Sequence, residues 1–230
     1  MTAGARSRRR RSRVPPLPRD TAATAFTVLL ADLISRIPGA RAAALVDRDG
    51  ESVDYAGTLS PFDVKVAAAH WQIILAELAR TALLAGPRHM VVRGRMRSFV
   101  IRVLADGYAV VLVLAARAGF LPSPRAFEVF ERGLRVEAGI GASHGGPTWT
   151  PVLVEQDARA RPYAISATPD APVENLEVLG AVMGLRRGER GFRVRFGSGF
   201  ETTIVREPGG TWYADEPIGQ SDPTGRSRAK

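Results

Sequence analysis

Two Asp-Gly pairs, Asp49-Gly50 and Asp106-Gly107, each stand between runs of apolar residues, and they restrict the fold more than any other feature of the chain. A type I′ hairpin turn needs positive φ, which Gly and Asp tolerate, so each pair predicts two neighbouring strands joined by a tight turn. Strands joined that closely are antiparallel. Around the first pair the expected strands are residues 42–46 and a returning strand in which Val53 and Tyr55 alternate. Around the second they are residues 98–104 and 108–114, preceded by a further strand at 89–93.

Helices fill the gaps between these strands. After Pro18, Asp20 or Thr21 is placed to cap a helix whose Phe26, Leu29, Leu30, Leu33, Ile34 and Ile37 form one stripe, closed by Pro38-Gly39. Ser60, Pro61 and Asp63 read as the start of a long helix running toward Gly86-Pro87. Ser123-Pro124 opens a third, with Phe127, Phe130 and Leu134 on one face. The order is helix, two strands, helix, three strands, helix. Residues 139–150 are rich in Gly and small polar residues and read as a linker. Beyond them, the alternation of Phe192, Val194 and Phe196 with Arg193 and Arg195, and the turns at Gly197-Ser198-Gly199 and Pro208-Gly209-Gly210, predict a small antiparallel meander. Residues 176–185 fit a strand or a helix.

The long helix has an unusual surface. At about 100° per residue, Val64, Ala67, Trp71, Ile74, Leu75, Leu78 and Ala82 form a stripe sufficient to hold it to a sheet. On the opposite side Phe62, Val66, Ala69, Ile73 and Leu84 form a second apolar line, with Glu77 and Arg80 interleaved. A helix apolar on both sides is covered twice within its own domain or is presented to another chain. The expected dimer or partner interface is Phe62, Val66, Ala69, Ile73, Glu77 and Arg80, extended by Met90 and Val92 on a strand at the end of the sheet. Arg93, Arg95 and Arg97, around Gly94 at a turn, are candidate contacts for an acidic partner, against the plainer reading of three solvated turn charges.

Charge sits at the ends. Of a net +9, residues 1–19 carry +7 without an acid and the last ten residues +2, which leaves residues 20–220 formally neutral. The resulting division is a disordered Arg-rich tail at 1–19, a domain at 20–138, a linker at 139–150, a β-rich module at 151–218 and a disordered tail at 219–230. A basic character confined to tails argues against a nucleic-acid-reading domain, although residues 6–13 allow weak contact with nucleic acid or anionic lipid. Zero cysteines exclude disulfides and thiolate metal sites. His70, His89 and His144 lack metal-ligand spacing, so neither metal nor cofactor is expected. No apolar run approaches the roughly 18 residues of a membrane span, and no secretory signal follows the arginines, so a cytoplasmic location is expected.

In order and spacing the chain resembles the roadblock/dynein light chain family, which includes the gliding-motility GTPase-activating proteins of bacteria. The resemblance covers residues 21–138. It is carried by Ile37-Pro38-Gly39-Ala40, by Ala44-Leu45-Val46-Asp47-Arg48-Asp49-Gly50, by Ala67-Ala68-Ala69, and by Val100-Ile101-Arg102-Val103-Leu104-Ala105-Asp106-Gly107-Tyr108 leading to Val111-Leu112-Val113-Leu114. It implies an α+β fold, a five-stranded antiparallel sheet with helices on both faces, here followed by a small antiparallel β module. It also implies dimers joined through the long helix and the third strand, and a non-enzymatic regulator or scaffold for a Ras-like small GTPase. The Arg-rich start and the C-terminal module depart from the minimal family pattern.

Other functions fit the sequence less well. The chain has no Gly-x-x-x-x-Gly-Lys-[Ser/Thr] loop and so is not itself a P-loop GTPase. Ser143-His144 lacks a nucleophile elbow. A ligand-sensing module of PAS-like or profilin-like type shares the element order but needs a pocket where this sequence offers bulky fillers. Association with nucleic acid or a membrane surface through the arginine tail is the third alternative.

Overall fold

A computed structural model of the chain describes residues 19–81, 87–116, 118, 123–138, 149–216 and 218. Residues 1–18 and 219–230 of the expected tails, most of the linker, Ala82, Leu84 and His144 lie outside the described residues, whereas Arg19, assigned to the N-terminal tail, is described. Elements run α1 (Ala25–Arg36), β1 (Ala40–Val46), β2 (Ser52–Gly57), α2 (Pro61–Arg80), β3 (His89–Arg93), β4 (Ser98–Val103), β5 (Ala109–Leu114) and α3 (Pro124–Glu137). The five strands form one antiparallel sheet in the order β2-β1-β5-β4-β3. Six more strands follow: β6 (Thr150–Gln156), β7 (Pro162–Ser166), β8 (Glu174–Ala181), β9 (Arg190–Phe196), β10 (Glu201–Arg206) and β11 (Trp212–Ala214). They run as an antiparallel meander that closes on itself when β11 pairs with β6. The expected meander is therefore a barrel, and the ambiguous segment near 176–185 supplies its strand β8.

The two Asp-Gly turns differ. Asp106 and Gly107 both have positive φ, at 56° and 80°, as a type I′ turn requires. At the first turn only Gly50 does, at 87°. There Gly50 N donates to the Asp47 carbonyl and Asp47 N to the Glu51 carbonyl, giving a longer turn that ends on a left-handed Gly. The Asp47 carboxylate fixes it by accepting from the amides of Asp49 and Glu51.

Alternation along the strands separates two cores. Ala42, Ala44, Val46, Ile101, Val111 and Val113 face α2 and meet Val64, Ala68 and Leu75. Ala43, Leu45, Val100, Val110, Leu112 and Leu114 face α1 and α3 and meet Leu30, Leu33, Phe127 and Phe130. Strands covered on both faces read as unbroken apolar runs, which is why β5 is Ala-Val-Val-Leu-Val-Leu with every residue buried. A third core, with Val152, Ile165, Val194, Phe196, Ile204 and Trp212, fills the barrel.

Helix starts follow the expected chemistry in two cases of three. Ser60 Oγ accepts from the Asp63 amide and Ser123 Oγ from the Ala126 amide, each with Pro in the first turn. For α1 the cap is Thr24, whose amide donates to Thr27 Oγ1 while its own hydroxyl accepts from the Phe26 amide. Asp20 is used elsewhere, accepting from the Tyr55 hydroxyl and pairing with Lys65 at 2.8 Å. Arg19 also belongs to this corner. It pairs with Asp54 at 2.6 Å and lies over the Tyr55 ring.

The barrel is docked on the α1 and α3 side. Tyr213 of β11 is fully buried within the α1–α3 core. Arg125, in the first turn of α3, pairs with Glu189 at 2.8 Å and Glu207 at 3.3 Å and lies over Trp149. Ser123 Oγ donates to Glu207 as well as capping α3.

Candidate protein interface

The outward side of α2 is built by rotation. Its buried line is Val64, Ala68, Gln72 and Leu75, with Trp71 and Leu78 half-buried beside it. This corrects the stripe expected from the sequence. Ile74 is 40% exposed and Ala67 only half-buried, because the line centres nearer Ala68 and admits a polar residue. Gln72 is tolerated because its Nε2 donates to the Gly107 carbonyl. No apolar periodicity reveals such a residue.

The second line faces outward. Phe62 is 74% exposed, Ile73 59% and Val66 37%. Glu77 and Arg80 are exposed along it and pair with each other at 3.0 Å. Ala69 is half-buried and lies against Gly50 of the β1–β2 turn, so it sits at the margin of the line. Ile74, Trp71 and Phe99 also belong to this surface, which helical spacing alone does not reveal. The Trp71 and Phe99 rings pack 5.3 Å apart and floor a shallow groove of about 360 Å³ between α2 and β4, flanked by Phe62, Val66, His70 and Arg97.

Strand β3 pairs with β4 on one side and ends the sheet. Met90 and Val92 turn toward the α2 side and are half-buried against that core, whereas Val91 points the other way and is exposed. An edge strand presents alternate backbone donors and acceptors that lack a partner, which is a template for a second strand. His89 packs near Phe127, 6.2 Å between ring centroids; burial first and Arg102 second hold its imidazole below the usual value. From the end of β3 the hairpin tip carries Arg93, Arg95 and Arg97 with an exposed Met96. Arg97 pairs with Asp63 at 3.3 Å. Arg93 and Arg95 make no ion pair among the described residues.

Thus the start of α2 meets the cationic hairpin through Asp63 and Arg97, on the side of the sheet to which Met90 and Val92 of the edge strand β3 turn. No protein-family model matches the sequence, and no curated protein matches it. Solved structures do. The chain is similar to Myxococcus xanthus MglB, at 16% identity over 51% of this chain and 98% of that one, with a TM-score of 0.44. It is similar to the gliding protein MglB of Thermus thermophilus, at 20% identity over 56% and 100%, with a TM-score of 0.43. A Roadblock/LC7 domain from Streptomyces avermitilis is 17% identical over 48% of this chain and 88% of that one, with a TM-score of 0.35. About half of the chain takes part in these likenesses. Its own strand order gives the expected α+β architecture, a five-stranded antiparallel sheet with helices on both faces, followed by a six-stranded barrel. Among the described residues no helix is long and apolar enough to cross a membrane.

Proposed function

We propose that this protein is a non-enzymatic, homodimeric regulator or scaffold for a Ras-like small GTPase. One observation carries the dimer: the exposed line Phe62, Val66 and Ile73 lies on the side of the sheet to which Met90 and Val92 of the edge strand β3 also turn, so a second copy related by a two-fold axis can cover the helix line and extend the sheet together. Glu77 and Arg80 then lie across from their own equivalents or close to them, and Met90 and Val92 support the pairing strands from below. The GTPase rests on the roadblock resemblance. Arg93 and Arg95, uncompensated at the hairpin tip, suit an acidic surface on such a partner.

The oligomer and the partner are tested separately. Sedimentation of the wild type is expected to give a dimer, and Val66→Glu with Ile73→Glu a folded monomer. A wild type that sediments as a monomer at all concentrations removes the dimer. The GTPase is tested by mixing the protein with the small GTPases of its source and following nucleotide-dependent binding and hydrolysis. Binding that prefers one nucleotide state is expected; no interaction with any of them removes the partner.

A further inference from the structure

Within the barrel, β6 changes neighbour half-way along. Thr150, Pro151 and Val152 pair with β11, but Leu153 through Gln156 pair with β7 alone. The β10–β11 hairpin ahead of Trp212 does not pair with β6, and its Gly209 lies close to Pro38. The space left between is an open groove of about 640 Å³, bordered by Leu153, Glu155, Val173, Arg206, Thr211 and Trp212. Four residues of strand, roughly 13 Å, are thus open on one side.

We propose that this groove is a second docking site, taking an extended, acidic segment of a partner protein as an added strand on β6. An open strand edge selects an extended peptide, since main-chain hydrogen bonds supply affinity and alternate side chains supply specificity. Leu153 and Val173 are exposed at its margin and offer apolar contacts. The sign of the peptide follows from the charges. Glu155, on β6, stays an anion while it accepts the Tyr163 hydroxyl at 2.6 Å, and the Arg206 guanidinium, on β10, makes no ion pair or hydrogen bond with any described residue, so the charge left to be met from outside without a polar partner is the cation, and the peptide needs a carboxylate at the Arg206 end. On the same barrel, Arg193 and Arg195 are both held by Glu201. An unpaired guanidinium at the groove wall favours a carboxylate, which argues against the chain's own last ten residues, whose net charge is +2. The site stands on the barrel alone and does not depend on the dimer or the GTPase.

The test is panning of phage-displayed random dodecapeptides on the full chain, followed by anisotropy and hydrogen exchange with the synthetic winners. Winners with alternating apolar residues and an Asp or Glu are expected, with slowed exchange at residues 153–156. Arg206→Glu is expected to weaken them tenfold or more and to select basic peptides instead; Arg206→Gln serves if that variant misfolds. Winners without acidic preference, protection mapping to α2 or β3, or no binder to the barrel would each overturn the proposal. So would slow exchange at 153–156 in the free protein that is lost on deleting residues 219–230, because the occupant is then the chain's own tail.

Discussion

On the α1 and α3 side of the sheet, Leu30, Leu33, Phe127 and Phe130 are all buried, whereas on the α2 side Phe62, Val66, Ile73 and Ile74 are open to solvent. Both sides carry enough apolar surface to be covered twice. The first is covered twice: the sheet lies beneath its helices, and Tyr213, Trp149 and the Arg125 cluster of the barrel junction lie against them. The second has only the sheet. The difference teaches that an apolar outer line on a helix says nothing by itself about where its cover comes from. Here the chain covers part of one side with its own C-terminal half, leaving Val28 and Val136 exposed, and leaves the outer line of α2 open.

The sharpest way to break that comparison is to unseal the closed side. Arg125→Leu strands Glu189 and Glu207, both nearly fully buried, without their cation. Loss of one partner from a buried ion cluster typically costs about 3–5 kcal/mol. The expected outcome is a large drop in the urea midpoint, with the barrel and the sheet domain melting in separate transitions. Adding Glu189→Gln and Glu207→Gln should recover part of the loss by removing the stranded charges. A single unchanged transition would show that the junction contributes little and that the closed side is closed by the helices alone.

A smaller effect sharpens the far end of the same side, where Asp54 ties β2 to the start of α1. Burial alone would raise the Asp54 carboxyl above its ordinary 3.8, but donation from Thr27, Thr24, the Tyr55 amide and Arg19 outweighs it and holds the group lower. A carboxylate depressed in the folded state stabilises the fold above its unfolded value, and that stability is lost as pH falls through the lower folded value. Asp54→Asn is expected to cost about 1.5–3 kcal/mol at pH 7, the scale of a hydrogen bond to a charged group. Below about pH 4 the two proteins should converge in denaturant titrations. A constant gap across that window would locate the effect in packing.

Much of the sheet was legible because its determinants are local. Asp106-Gly107 dictates a type I′ turn through its own backbone preferences, and Ser60-Pro61 and Ser123-Pro124 announce helix starts within four residues. The misreadings were of things decided at a distance. Gln72 enters the buried line of α2 because a carbonyl at Gly107 happens to receive it, and Thr24 displaces Asp20 as the cap because Tyr55 and Lys65 hold Asp20 elsewhere. The outer line of α2 was read correctly as apolar and exposed at Phe62, Val66 and Ile73, since helical spacing decides both. Trp71 and Phe99 were not joined, because a groove between a helix and a strand has no signature along the chain. Neither did spacing reveal the half-open edge of β6, which depends on where the distant β10–β11 hairpin stops pairing with it.

The smallest expected effect tests the open side directly. Phe62 is largely in water, so trimming it to Ala in a protein held monomeric by Ile73→Glu removes little buried area. At about 25 cal/mol per Å² the cost should be a few tenths of a kcal/mol. Leu33→Ala, on the closed side, should cost about 2–5 kcal/mol in the same background. Under the proposed dimer, Phe62→Ala in an otherwise wild-type chain should instead appear as a concentration-dependent loss, because the ring would be buried against a second copy and its stabilisation tied to association. The two backgrounds thus separate what Phe62 does for its own fold from what it does for the interface. Should Phe62→Ala cost the isolated monomer as much as Leu33→Ala, the outer line belongs to the chain's own core and the contrast between the two sides disappears.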